Sequence, residues 1–306
     1  MTDLLEMRSP LRWAGGKIRI LPEIVSNLPY DFEDSITSYV EPFVGGGAVM
    51  FYFLSNYEFE DVTISDLNMD LINFYKNLKE QPDSLRKEYN KLSKIFKNSP
   101  GKETYYYNLR KVFNENISSG LEDRLTTENA ALLLFINRTS YNGIFRVNKN
   151  GLFNVPFGKK SSVQPLSEEH VALLSTVLEN AKIKRADFET TLKDINANSK
   201  TFIYLDPPYV TGHLQNGFIS YNETLFPWES QIKLVNLVKK YTKKGVRCMI
   251  SNANSDSIKK LYSVKGFSTI PLERKCCIGG PVESRGDYSE LIVTNYSLGG
   301  GKDGKI

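Results

Sequence analysis

Apolar and polar positions fall into three stretches of different rhythm. In the first, Ser38-Tyr39-Val40-Glu41-Pro42-Phe43 predicts a strand that stops at a proline, and Val44-Gly45-Gly46-Gly47-Ala48 predicts a glycine turn. Residues Ala48 to Leu54 are apolar enough for a buried helix, and Val62-Thr63-Ile64-Ser65-Asp66 predicts a second strand closing on an acid. Strand, glycine turn, helix, strand and acid is the order of the first half of a nucleotide-binding α/β sheet.

The second stretch changes period. From Asp70 to Asn116, Leu, Tyr, Lys and Glu recur at helical spacing, with a break at Ser99-Pro100-Gly101, and Glu128 to Phe135 continues the helical pattern. Ile144–Val147 and Leu152–Val155 predict two strands joined by Asn148-Lys149-Asn150-Gly151, a hairpin signal because Asn and Gly tolerate positive φ. A helix is expected over Glu168 to Ala181. In the third stretch the sheet pattern returns, with strands at Thr201–Leu205, Val246–Ser251 and Leu291–Asn295 and an amphipathic helix over Gln231–Tyr241. The pattern is α/β with one sheet interrupted by an insert. It divides into a catalytic domain (1–70 and 186–298), an inserted domain (71–185) and a tail (299–306) with almost nothing to bury, expected to be disordered.

Charge adds a direction. The net charge of +4 is modest, but residues 71–185 hold 19 Lys and Arg against 11 Asp and Glu, and the rest of the chain is net acidic. Between Glu128 and Glu168 there is no acid, while Arg138, Arg146, Lys149, Lys159 and Lys160 fall in that gap. Such a field attracts a phosphate backbone, although a solvated basic face would give the same count. Cys248, Cys276 and Cys277 have no spacing for a disulfide framework or a zinc site, which suits a reducing cytoplasm. Asp3 and Glu6 stand where a secretory signal would need positive charge, and no apolar run is long enough to span a membrane. No metal is expected.

The candidate chemistry begins at Asp206-Pro207-Pro208-Tyr209, directly after the strand ending at Leu205. At about 5% usage per residue, a specified tetrapeptide arises in a chain of this length with probability roughly 10⁻³. An exocyclic amine conjugated to a purine is a poor nucleophile, because its lone pair is delocalised. A carboxylate and a main-chain carbonyl that accept its two N–H bonds favour a pyramidal nitrogen. Asp206 and the carbonyl of Pro207 are the candidates, with Tyr209 as a stacking face for an extruded base. Methyl transfer by direct displacement needs only alignment and polar preorganisation. Gly45 to Gly47 would let backbone approach a ligand, and Asp66 lies where an acid takes ribose hydroxyls, although an ordinary tight turn would also account for the glycines. Trp13-Ala14-Gly15-Gly16-Lys17 places an indole, a flexible pair and a cation within five residues; Lys17 suits a cofactor carboxylate or the target strand, and Trp13 suits a core position as well.

Together these segments resemble the Dam-type DNA adenine-N6 methyltransferases, the D12 class or alpha group. The likeness runs from Leu11-Arg12-Trp13-Ala14-Gly15-Gly16-Lys17 through Glu41-Pro42-Phe43-Val44-Gly45-Gly46-Gly47, Ser65-Asp66-Leu67-Asn68 and Phe153-Asn154-Val155-Pro156-Phe157-Gly158. It continues through Ala186-Asp187-Phe188 and the Asp206–Tyr209 motif to Glu290-Leu291-Ile292-Val293-Thr294-Asn295-Tyr296. The resemblance implies a Rossmann-like S-adenosylmethionine-dependent methyltransferase sheet whose insert recognises duplex DNA. It also implies a monomeric, cytoplasmic enzyme of a bacterium or phage, with a cognate restriction endonuclease as a possible partner. It implies that Trp13, Lys17, Pro42, Phe43, Gly45, Gly47, Asp66 and Asp206 bind S-adenosylmethionine, with Asp187 and Phe188 at its adenine ring. Asp206, Pro207, Pro208 and Tyr209 would be catalytic. Arg12, Arg138, Tyr141, Asn142, Ile144, Arg146 and Pro156 would contact DNA, with Tyr141 entering the base stack and Arg146 reading a guanine in the major groove. The implied target is GATC or a GAT-containing site. Two positions depart from the family's usual pattern, Arg12 where Lys is common and Ile144 where Leu is usual, and both bear on the target sequence.

Other readings explain less. A nicotinamide-dependent oxidoreductase leaves the Asp206–Tyr209 motif and the basic insert without a role. A non-catalytic DNA-binding protein of this fold would not need Asp206. Enzymes that methylate protein glutamine or RNA adenine usually carry Asn in place of that acid and lack the insert.

Overall fold

The computed structural model describes residues 8–13, 15–209, 226–272 and 289–298; the tail 299–306, Cys276 and Cys277 lie outside these residues. Seven strands form one sheet: β1 (Ser38–Glu41), β2 (Asp61–Asp66), β3 (Ala181–Arg185), β4 (Thr201–Leu205), β5 (Arg247–Ala253), β6 (Ser268–Leu272) and β7 (Glu290–Thr294). Their order is β3-β2-β1-β4-β5-β7-β6. β1, β4 and β5 run parallel, and β7 pairs antiparallel with both β5 and β6. The strand order reverses between β1 and β4, and open α/β sheets bind ligands outside the carboxyl ends of their strands at such a switch.

All five residues of β4 and of β7 are buried, which is why both read as continuous apolar runs. The edge strands read differently. β3 is Ala181-Lys182-Ile183-Lys184-Arg185, and β6 alternates half-buried with exposed positions and holds Pro271. Lysines and proline suit a sheet edge, where one row of backbone groups needs no partner. The sequence pattern carries a helix on to Ala181, whereas the structure ends that helix at Leu178 and opens β3 at Ala181.

The longer helices are α1 (Ala48–Asn56), α2 (Met69–Glu80), α3 (Pro82–Asn98), α4 (Lys102–Ser119), α5 (Thr127–Thr139), α6 (Glu168–Leu178), α7 (Phe188–Asp194), α8 (Trp228–Thr242) and α9 (Asp256–Tyr262). The break expected near Ser99 separates α3 from α4, and a second, unexpected one falls at Gln81. Pro82 opens α3 at a position where its missing N–H costs nothing. Side-chain caps start α2 (Asn68 to the N–H of Asp70 and Leu71), α5 (Thr126 to Asn129), α6 (Ser167 to His170) and α9 (Ser255 to Ile258).

The chain divides into two compact units. The first comprises Met1–Leu21, Val44–Glu58 and Ile64–Asp187, the second Pro22–Phe43, Phe59–Thr63 and Phe188–Ile306. In the first, α2, α3 and α4 pack around α5. Residues Asn129 to Asn137 of α5 are all buried, as expected of a helix that is apolar on every side. The segment 144–155 departs from the expected hairpin. Its turn is present, with Asn148 accepting from the N–H of Asn150 and Leu152, but in place of a strand ladder its arms share one isolated bridge, between Val147 and Phe153. Side chains of α4 take the place of a ladder. Asn114 bonds both the N–H (2.8 Å) and the carbonyl (3.0 Å) of Phe153, and Tyr106 and Arg110 both donate to the carbonyl of Val155. In the second unit, Ile203, Leu205, Cys248, Ile250, Leu291 and Val293 of the central strands pack in one cluster with Leu234, Val235 and Val238 of α8.

Candidate active site

In the first unit, chemistry gathers at the turn between β1 and α1. Gly45 (φ 47°) and Gly47 (φ 73°) occupy the left-handed region that side chains disfavour. The turn is tied by the N–H of Val44 to the carbonyl of Ser65 (3.0 Å) and the N–H of Gly47 to the carbonyl of Val44 (2.8 Å). Tyr75 donates its hydroxyl to the carbonyl of Gly45 at 2.7 Å. A Cβ on Gly46 would lie 2.6 Å from the Cβ of Trp13, and one on Gly47 would lie 2.7 Å from the Tyr75 hydroxyl. The glycines are therefore enforced by sterics as well as by φ.

Asp66 faces the same turn. One carboxylate oxygen accepts the N–H of Gly45 (3.0 Å) and the other the N–H of Asn68 (2.8 Å). Burial raises its pKa, and backbone bonds from Asn68, Gly45 and Leu67 act against that rise. A carboxylate offers about four acceptor sites, so the geometry suits a vicinal diol as a further donor pair. Lys17 is only 3% exposed, and its ammonium donates to the carbonyl of Gly15 at 2.7 Å. Asp187, expected beside Phe188 at an adenine ring, is exposed.

In the second unit the carboxyl end of β4 leads straight into Asp206-Pro207-Pro208-Tyr209. Tyr209 donates its hydroxyl to Glu290 at 3.3 Å, Tyr204 bonds Ser251 at 2.7 Å, and Tyr39 donates to Glu41 at 2.5 Å. Glu41 and Glu290 are both buried. Burial, then the charge of Asp206, pushes the phenols of Tyr204 and Tyr209 well above their ordinary range, so Tyr209 keeps its proton and acts as a donor. Phe188 stacks on Phe43 with ring centroids 5.5 Å apart and planes 25° from parallel, and both meet Phe226. Pro42, next to Phe43 in sequence, is buried. Sequence reasoning passed over Glu41, Glu290, Tyr204 and Ser251. Glu41 and Glu290 did carry a signal, an acid at the end of a buried strand, whereas Tyr204 and Ser251 lie inside β4 and β5 and carry none.

The expected DNA contacts all lie in the first unit. Tyr141 is 57% exposed, and its N–H donates to the carbonyl of Pro156, itself exposed, at 2.9 Å. Asn142 sits in the left-handed region (φ 56°), and Ile144 is half-buried. Arg146 donates Nε to Asn154 at 2.8 Å, which fixes the guanidinium plane and leaves its two terminal nitrogens for another acceptor. Arg12 is exposed, while its backbone N–H and carbonyl bond the side chain of Asn137 at 2.9 and 2.8 Å. Arg138 is engaged inside the unit. Its guanidinium bonds the carbonyls of Pro10 and Gln164 and the Tyr89 hydroxyl, and lies 5.2 Å over the Tyr89 ring. Phe145, between Ile144 and Arg146, was not anticipated. Its ring stacks on Trp13 at 4.9 Å and 18°, an arrangement worth about 0.5–1.5 kcal/mol beyond area burial.

Among the described residues, no group of three His, Cys, Asp or Glu is placed to hold a metal ion, and no helix is long and apolar enough to cross a membrane.

Comparison with known proteins places the chain in a family. The family described as D12 class N6 adenine-specific DNA methyltransferase matches residues 13–276. The chain is 38% identical to a type II methyltransferase, M.MjaIII, of Methanocaldococcus jannaschii over 95% of its own length and all of the relative's. It is 31% identical to a DNA adenine methylase of Vibrio cholerae (95% of this chain, 98% of the relative), and 31% identical to one of Haemophilus influenzae (94% of each).

Proposed function

The chain belongs to the D12 class N6 adenine-specific DNA methyltransferases, and from that premise we propose that it transfers a methyl group from S-adenosylmethionine to N6 of an adenine extruded from duplex DNA, within GATC or another GAT-containing site. What supports the reading most is the placement of Asp206-Pro207-Pro208-Tyr209 immediately beyond β4, beside the reversal of strand order.

The residues fit the donor. The glycine turn is a cradle that any Cβ would fill, and Asp66 faces it with acceptor capacity for ribose hydroxyls. We assign Trp13, Lys17, Pro42, Phe43, Gly45, Gly47, Asp66 and Asp206 to the donor, with Asp187 and Phe188 at its adenine ring. When bound, S-adenosylmethionine supplies an electrophilic methyl on a positively charged sulfur. The chain's own work is at the acceptor. Asp206 accepts one N6 proton bond and the carbonyl of Pro207 the other, which localises the nitrogen lone pair. Asp206 would also stabilise the positive charge that develops on N6 as the methyl–nitrogen bond replaces the methyl–sulfur bond, a displacement that leaves the sulfur as a neutral thioether and passes the surplus N6 proton to solvent. Pro208 limits the backbone freedom of the motif, and the ring of Tyr209 stacks on the extruded base, its edge steadied by Glu290. Tyr141 fills the gap in the duplex, and Arg12, Asn142, Ile144, Arg146 and Pro156 read or position the flanking bases. Arg138 acts through the bonds by which it holds Pro10 and Tyr89.

The test is incorporation of a labelled methyl group into duplex DNA followed by base-resolution mapping of N6-methyladenine. The native chain is expected to label adenine in duplex DNA, but neither RNA nor peptide, and Asp206→Ala to lose turnover. Turnover retained by Asp206→Ala would remove Asp206 from catalysis. Labelling confined to sites without GAT would leave the chemistry intact and overturn the target.

A further inference from the structure

We propose that Phe145 is a positioning residue through which occupancy of the glycine turn sets the reading geometry of the 144–155 ribbon. The inference rests on the function proposed above, and every residue in it lies in the first unit. The contacts form a continuous path. Asp66 holds the N–H of Gly45 at 3.0 Å. Added Cβ atoms on Gly45 and Gly46 would meet Trp13 at 3.3 and 2.6 Å, so the turn and the indole are already in close contact. Trp13 stacks on Phe145, and Phe145 meets Phe153 at 5.5 Å. Phe153 forms the bridge with Val147 and is held at both backbone groups by Asn114.

The ribbon is otherwise anchored to helices. Asn137 of α5 bonds the carbonyl of Gly143, and Asn114 of α4 bonds Phe153. The Asn137 anchor also bonds the backbone of Arg12, next to Trp13, so it ties the start of the ribbon to the same segment by its backbone. The Trp13–Phe145 stack is the ring contact that would transmit a shift of the turn directly to the ribbon's side chains, and Phe145 stands between Ile144 and Arg146 in the chain, two of the residues assigned to flanking bases. A close-packed aromatic stack does not stretch; movement of one ring is resisted or followed by the other. The expected consequence is positive coupling, which is reciprocal by linkage: a donor analogue tightens specific DNA binding, and specific DNA tightens the analogue by the same factor.

The experiment compares the native chain with Phe145→Tyr, which keeps a stacked ring, and Phe145→Leu, which fills the space without one. The readout is the calorimetric Kd of sinefungin, a non-reactive donor analogue, alone, with a duplex carrying the mapped site, and with the same duplex altered at one base pair. In the native chain and Phe145→Tyr, the specific duplex is expected to tighten sinefungin about tenfold and the altered duplex hardly at all. In Phe145→Leu the factor should fall below about threefold while the Kd of sinefungin alone stays within about threefold. The proposal is overturned if Phe145→Leu keeps the native factor, if the native chain shows no coupling, or if Phe145→Leu loses sinefungin binding outright and Phe145→Tyr restores nothing. Failure of the underlying function is distinct, because a native chain that neither binds nor methylates duplex DNA would show it before any variant is made.

Discussion

Two opposing effects act on the carboxylate of Asp66. Burial opposes its charge, and N–H groups of the turn and of the start of α2 partly restore it. Ribose hydroxyls need the ionised form as acceptor. Because the pKa is raised, protonation on acidification sets in at a higher pH than for an aspartate in water, so sinefungin affinity should decline earlier on the acid side. Asp66→Asn should lose roughly 1.5–3 kcal/mol of binding, the range for bonds to a charged group, and should flatten the pH dependence. Calorimetric titration across the acid range checks both, and an unchanged pH profile in the Asn variant would assign the titration elsewhere. Tyr209 is held differently. Its raised pKa keeps the phenol protonated, and its bond to Glu290 is long at 3.3 Å, as catalytic bonds often are before substrate tightens them. Tyr209→Phe keeps the ring and removes that bond. Glu290→Ala in the Phe background should then cost no further turnover, whereas additive losses would show that Glu290 acts independently of Tyr209.

At the scale of elements, the start of α2 carries both the Asn68 cap behind Asp66 and a buried ion pair. Asp70, 2% exposed, takes two bonds of 2.8 Å from Arg124. The backbone carbonyl of Arg124 in turn accepts from Asn73 and Asn129. The short helix Leu121–Arg124 is thus pinned across α2 and α5 by one residue. Arg124→Ala leaves a buried carboxylate without its partner and should destabilise the chain by about 3–5 kcal/mol, read as a lower urea midpoint with an unchanged slope. Asp70→Asn with Arg124→Leu should recover much of that loss, because the uncompensated charge is then absent. The 144–155 ribbon makes a complementary point. It is held by side chains of α4 rather than by a strand ladder, so its conformation belongs to the helical bundle as much as to its own turn.

At the scale of the molecule, positive charge is concentrated in 71–185 while the remainder is net acidic. Association with any duplex should weaken steeply as salt rises, with a slope of about 0.9 in log–log form per phosphate neutralised. The exposed Lys149 at the ribbon turn and the Asn154-held Arg146 should separate under this measurement. Lys149→Ala is expected to weaken all sequences alike and lower the slope by about one. Arg146→Ala is expected to cost about 1–3 kcal/mol of discrimination at one base pair with little change of slope. A uniform loss with a smaller slope for Arg146→Ala would make it a phosphate contact.

The residue pattern alone was enough for the central strands, the glycine turn, α5, and the candidate roles of Asp66 and Asp206. Each depends on information local to a few residues: a run that is apolar on both faces, a φ that most side chains disfavour, an acid at a strand tip. Packing decided the rest. The edge strands β3 and β6 are made by the neighbours they pair with, and their lysines and Pro271 disguise them. Nothing near Phe145 in sequence announces its stack on Trp13, and nothing near Arg138 announces that its guanidinium turns into the protein. Contacts between residues more than a hundred positions apart are chosen by which surfaces the folded chain brings together, a property of the whole arrangement that no short window of sequence carries.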